Sequence, residues 1–145
     1  MGIGRTDPAT SAGGRLRAIH RPSHRILLVD DNIDAANIAA ILLRHLGQEV
    51  LPIYDGSSAL EVARDFTPDI IVLDLEMPGL GGMAVAREIR RQPPPVSECR
   101  IIAYTGHGNA RYREDAGRAG FDGFLLKPVS VTQWVELLDS IDMGA

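Results

Sequence analysis

Apolar residues in this chain follow two alternating patterns. Short runs with few polar interruptions lie at Arg25–Val29, Glu49–Ile53, Asp69–Leu73, Arg100–Tyr104 and Asp122–Leu126. Each has the length of a strand, and the aliphatic run Ile70-Ile71-Val72-Leu73 reads as a strand buried on both faces. Longer stretches between the runs carry apolar residues at helical spacing. They predict helices over about 33–46, 57–66, 83–91, 109–119 and 131–141. In the first, Ala35, Ile38, Ala39, Leu42, Leu43 and Leu46 form one core-facing stripe, with Ile33, Ala36 and Ile41 off it. Ala59, Leu60 and Ala63 face inward from the second helix, and Val131, Trp134, Val135 and Leu138 from the last. Gly47, the Pro93-Pro94-Pro95 run and Gly120 act as helix stops.

Five strands alternating with five helices at these spacings suit right-handed βαβ crossovers. The expected fold is α/β: a doubly wound, five-stranded parallel sheet, order 2-1-3-4-5, with helices on both faces. Residues 25–142 form one domain. Residues 1–24, rich in Gly, Pro, Ala, Ser and Arg without a hydrophobic period, read as a flexible basic arm. Residues 1 to about 20 are expected to pack on nothing within the domain, and no output domain follows.

Composition narrows the function. The net charge is −4, but the arm carries four arginines against Asp7, leaving −7 on the remainder. A folded part this acidic is not built for direct DNA binding. No apolar run reaches the length of a membrane span. Cys99 is the single cysteine and reads as a small buried hydrophobe, which fits a reducing, cytoplasmic setting. Of fifteen basic residues fourteen are arginine, and the lone lysine, Lys127, follows directly on an apolar run. A compact ammonium suits a tight anion site better than a guanidinium fork does.

Ligands of doubly wound sheets bind at the C-terminal edge of the strands. There the chain places Asp30 and Asp31 after strand one, Asp74 after strand three, Thr105 after strand four and Lys127 after strand five. Three carboxylates on one rim repel, and a hard divalent cation relieves them. Mg²⁺ fits, with a phosphoryl oxygen completing its shell. Asp74, on the middle strand, is placed as a carboxylate nucleophile that forms an aspartyl phosphate. The cation and Lys127 would neutralise phosphoryl oxygens, and Thr105 would hydrogen-bond another.

The motifs L-V-D-D-N at 28–32, V-L-D-L-E-M-P at 72–78, A-Y-T-G at 103–106 and L-L-K-P at 125–128 make the chain resemble the receiver domain of bacterial two-component response regulators. Residues 29–47 look most like receivers attached to hybrid histidine kinases. The resemblance implies a flavodoxin-like fold and a phosphorylation-switched signalling module. That module catalyses only its own phosphorylation and dephosphorylation. Asp74 would be the phosphoacceptor, and Asp30, Asp31, Asp74 and the backbone carbonyl of Glu76 would serve Mg²⁺. Thr105 and Phe124 match the switch pair, and Lys127 the phosphate-binding lysine with a cis bond to Pro128. Glu76 and His107 lie at positions that tune phosphate lifetime. The implied donor is a histidine kinase or a histidine phosphotransfer protein; the output protein is unknown. Signalling would change the face made of the fourth helix, fifth strand and fifth helix. The chain departs from the pattern at Gly81, where receivers usually carry an acid.

Two other readings start from the same residues. An aspartyl-phosphate phosphatase needs a second Asp two residues after its nucleophile; Glu76 stands there, and the Asp30-Asp31 pair is left unexplained. An FMN-binding flavodoxin-like module needs a Ser/Thr/Gly-rich loop after strand one, where this chain has Asp-Asp-Asn-Ile-Asp.

Overall fold

The computed structural model describes residues 21–106 and 108–144. The elements are β1 (Arg25–Val29), α1 (Ile33–His45), β2 (Glu49–Ile53), α2 (Ala59–Phe66), β3 (Ile70–Asp74), α3 (Gly82–Arg90), a 3₁₀ turn (Val96–Glu98), β4 (Arg100–Thr105), α4 (Ala110–Ala119), β5 (Gly123–Leu126) and α5 (Val131–Asp142). All strand pairs are parallel, in the order β2-β1-β3-β4-β5. The expected doubly wound α/β sheet is therefore the observed one.

Side-chain alternation along the strands builds two cores. Leu27, Val29, Ile71, Leu73, Ile101 and Ala103 point to one face, where α2, α3 and α4 bring Ala59, Ala63, Val85, Ile89 and Ala116. Ile26, Leu28, Ile70, Val72, Ile102 and Tyr104 point to the other, against α1 and α5. Cys99 sits in the first core, and burial pushes its thiol up to about 11, so it packs as the expected small hydrophobe.

Two helix faces differ from expectation. The buried stripe of α1 is Ala36, Ala39, Ala40 and Leu43; Ile38 is 61% exposed, and Ile33 and Ile41 are also exposed. Ala35, Leu42 and Leu46 are half-buried. Three alanines let the helix axis approach the sheet closely, so the bulkier isoleucines turn outward despite their hydrophobicity. In α5, Trp134 and Leu138 are buried, but Val131, expected to face inward, is exposed. It is the first helical residue and precedes the stripe. The helix expected from residue 57 starts at Ala59, because Asp55 Oδ1 accepts from the Ser57 hydroxyl and from both Ser58 N–H and hydroxyl, closing a turn first.

Residues 1–20 of the expected arm lie outside the described residues. Arg21–His24 are tied to the domain. Gln48 accepts from the His24 N–H (2.8 Å) and donates to the Pro22 carbonyl (3.1 Å). Arg21 Nη1 pairs with Asp139 at 2.7 Å, and His24 Nε2 lies 2.7 Å from Asp142. The last turn of α5 carries no basic residue of its own. Arg21 brings positive charge to the negative end of its dipole.

The α3 N-cap is Gly81, in extended conformation with open space around its Cβ position and no side-chain cap. Gly81→Asp should therefore stabilise the domain by about 0.5–1 kcal/mol, from the added cap and the stiffer unfolded chain. The urea unfolding midpoint reads this; an unchanged or lower midpoint would refute it.

Candidate functional site

All five strands end on the same edge, and four of them deliver polar groups to the site. β1 runs into Asp30, which is fully buried, and Asp31, which is exposed. Asp74 is the last residue of β3 and is 3% exposed. Thr105 closes β4 and is fully buried. Lys127 follows β5, and the Lys127–Pro128 peptide is cis, as expected.

One carboxylate oxygen from each of Asp30, Asp31 and Asp74 lies within 4.8 Å of the other two. Lys127 Nζ donates to Asp30 Oδ2 at 3.0 Å and stands 3.4 Å from Asp74 Oδ2. Its ammonium also lies 4.5 Å from the centre of the Tyr104 ring, and that ring packs on Trp134 at 5.8 Å. Asn32 N–H donates to Asp30 Oδ1 (3.0 Å), and Glu76 N–H donates to Asp74 Oδ1 (2.9 Å). The Glu76 side chain reaches across the mouth of the site, its Oε1 accepting from the Gly106 N–H at 3.0 Å. Gly82 closes the loop beneath: a Cβ there would run into the Asp74 carbonyl, so the backbone approaches too closely for any other residue.

Burial pushes the Asp74 carboxyl up to about 6; the Asp30 carboxylate adds to the rise, while the Glu76 N–H and the Lys127 ammonium oppose it. Burial works against the Lys127 ammonium too, yet its hydrogen bond to Asp30 and the charge of Asp74 prevail and hold its pKa above the usual lysine value. One ammonium does not neutralise three carboxylates. The remaining negative charge, carried entirely on hard oxygens, is what a small divalent cation relieves, so the donor set fits Mg²⁺.

Phe124 lies next to Ala103 of β4, half-buried. It is held on two sides: the Tyr112 ring meets it edge-on, with centroids 6.4 Å apart, and the Arg113 guanidinium lies 4.6 Å over its face. The Tyr112 phenol lies near the Thr105 side chain. His107 lies outside the described residues. Tyr104, Tyr112 and Arg113 went unread in the sequence. The only local signal was Asn109, whose side chain caps α4 by accepting from the Tyr112 N–H (2.8 Å) and so fixes where Tyr112 starts.

A doubly wound parallel sheet with a buried acid ending its central strand, flanked by an acidic pair and a lone lysine, defines a class of phosphoryl-accepting signalling domains. The family model for the response regulator receiver domain matches residues 26–139, and the chain belongs to that family. It is 35% identical over 108 residues to the CAI-1 autoinducer sensor kinase/phosphatase CqsS of Vibrio cholerae, covering 74% of this chain and 16% of that protein. Among solved structures it resembles the receiver domain of the sensor histidine kinase PA1611 from Pseudomonas aeruginosa, determined with a magnesium ion in its active-site cleft. That match has 32% identity and a TM-score of 0.74, covering 82% of this chain and 97% of that one. It also resembles chemotaxis protein CheY4 of Vibrio cholerae, with 25% identity and a TM-score of 0.77, covering 83% and 99%. The chain spans less than half the length of the curated relatives it matches. The phosphatase and FMN readings are not favoured. Among the described residues no helix is long and apolar enough to cross a membrane.

The raised Asp74 carboxyl carries a stability consequence. Its folded pKa of about 6 exceeds the ordinary 3.8, so the folded protein holds this proton more tightly than the unfolded chain does. Stability from the protonated acid is complete below about pH 4 and is lost as pH rises through about 6. In EDTA, Asp74→Asn should therefore melt several degrees above wild type at about pH 7.5, and the gain should shrink towards pH 4. Equal melting temperatures at the higher pH would contradict the assignment.

Proposed function

We propose that this domain accepts a phosphoryl group onto Asp74 from a phosphohistidine of a sensor kinase or histidine phosphotransfer protein in the cytoplasm. The observation that carries this is the Lys127 ammonium held between two buried acids, 3.0 Å from Asp30 and 3.4 Å from Asp74, at the strand edge where ligands of this fold bind. An Asp74 carboxylate oxygen attacks phosphorus, and the P–N bond breaks as the imidazole nitrogen leaves with the electron pair and takes up a proton. Lys127 meets the charge developing on one phosphoryl oxygen, and the Thr105 hydroxyl donates to another. Asp30, Asp31, Asp74 and the Glu76 backbone carbonyl would hold Mg²⁺, which supplies positive charge to the transferring group when bound. Glu76 and His107 set how long the acyl phosphate lasts.

The domain acts on no other substrate; it catalyses only its own phosphorylation and dephosphorylation. Its output is the face of α4, β5 and α5, read by a protein. DNA is a poor partner for it, because α5 carries Glu136, Asp139 and Asp142 and no basic residue. An apolar groove of about 440 Å³ between α1 and α5, lined by Ile38, Leu42, Val129 and Trp134, opens beside Lys127 and offers a phosphodonor helix a seat. Residues 1–20 would serve as a tether to the domain, on which Arg21–His24 are docked.

With Mg²⁺ and acetyl phosphate, the intact mass should rise by one acid-labile phosphoryl group. Asp74→Asn, or EDTA, should abolish the gain. Undiminished labelling of Asp74→Asn would reject the acceptor. Lys127→Arg keeps the charge but replaces a compact ammonium with a planar fork, and labelling should slow at least about tenfold. A wild-type rate in that variant would remove Lys127 from the chemistry.

A further inference from the structure

Building on the reading of Asp74 as phosphoacceptor, we propose that Tyr104 is a positioning residue for the site. The face of its ring seats the Lys127 ammonium and keeps it aimed at the acidic cluster when a cation takes up the charge of that cluster.

The course of the lysine side chain brings Tyr104 into the site. Lys127 follows β5, yet its ammonium reaches Asp74 at the end of β3 (3.4 Å) and Asp30 beyond β1 (3.0 Å). In a sheet of order β2-β1-β3-β4-β5 the stem has to cross the end of β4. The Lys127 backbone is tied there, its N–H donating to the Thr105 carbonyl at 2.7 Å. Tyr104 immediately precedes Thr105, and Lys127 Nζ stands over its ring, 4.5 Å from the centroid. The ring is itself fixed. Tyr104 is buried in the core under α1 and α5 and packs on Trp134, with ring planes at 52° and centroids 5.8 Å apart. A long flexible stem thus passes over a rigid aromatic surface on its way to the acids.

An aliphatic side chain at this place would support the stem but not attract its charge. The face of an aromatic ring carries the negative part of its quadrupole and draws an ammonium, more strongly where water is excluded. The carboxylates draw the ammonium too, but they are also the donor set that fits Mg²⁺. Once Asp30 and Asp74 share their charge with a cation, their pull on Lys127 weakens and like charges repel. The Tyr104 ring is neutral and offers no carboxylate to that exchange, so its hold on the ammonium stays. Lys127 then remains in place for a phosphoryl oxygen, and the entropy of ordering a long side chain is not left to the reaction step. A purely structural Tyr104 would act by filling volume against Trp134, which an aliphatic residue also does. The contact between charge and ring distinguishes the two roles, and it does not need the phenol hydroxyl.

Because Lys127 is the chain's single lysine, lysine isotope-labelled at Cε gives one side-chain NMR signal. In the wild type its ε-protons should lie upfield of those of free lysine, shifted by the ring current, and show a nuclear Overhauser contact to the Tyr104 ring. Both features should persist when Mg²⁺ is added. A signal at the free-lysine position in either state would overturn the seat, and this measurement needs no variant. Tyr104→Phe keeps the ring face and should keep the shift. Tyr104→Leu fills the space without a ring, and its signal should move to the free-lysine position on adding Mg²⁺. With Mg²⁺ and acetyl phosphate, Tyr104→Leu should label about five- to thirtyfold more slowly than wild type, and Tyr104→Phe within about twofold of it. Equal slowing in both variants, or wild-type labelling in Tyr104→Leu, would overturn the positioning role. Wild-type protein that takes no label would overturn the acceptor reading, while the NMR signal still decides whether the seat exists.

Discussion

The structure depends on holding like charges together at low solvent exposure. Asp30 and Asp74 are almost fully buried, their carboxylates share a small volume with Asp31, and one ammonium partly compensates them. A buried charge without compensation costs several kcal/mol, which a domain of ordinary stability does not tolerate. Lys127 lowers that cost in the resting state, and the backbone N–H groups of Asn32 and Glu76 lower it further. What remains appears as the raised Asp74 carboxyl. The site is thus stable enough to fold while negative charge on it stays only partly compensated.

That incompleteness requires rigidity around it. The strands that carry the acids are buried on both faces, and the cores above and below the sheet lock them in register. Lys127 is braced from beneath by the Tyr104 ring, itself packed on Trp134 of α5. The charge site and the α1–α5 core are therefore mechanically continuous. On the opposite side, Phe124 packs against Tyr112 and Arg113 of α4. The two sides differ in kind: the first is close-packed aromatic and aliphatic surface, and the second is half-exposed and held by single polar contacts. The second side is the one that can rearrange at the smaller loss of packing.

Much of this was legible in the residues. Period-two and unbroken apolar runs mark all five strands. Charges placed directly after them mark the ligand edge, because a parallel sheet brings every strand's C-terminal end to one side. Lys127 stands out because the chain uses arginine for every other cationic side chain apart from histidine. Asp30, Asp31, Asp74, Thr105 and Lys127 thus follow from strand ends alone.

What tertiary structure decided is which side of each helix faces in and which residues far apart in the chain meet. Helical periodicity in α1 pointed to a stripe through Ala35, Ile38, Leu42 and Leu46, but the buried face is Ala36, Ala39, Ala40 and Leu43, since close approach to the sheet favours small side chains over large apolar ones. No sequence spacing places Arg21 on Asp139, Glu76 on the Gly106 amide, or the Tyr112 ring on Phe124. These contacts depend on the height at which one element crosses another. That height is set by the packing of whole faces, and no local run of residues encodes it.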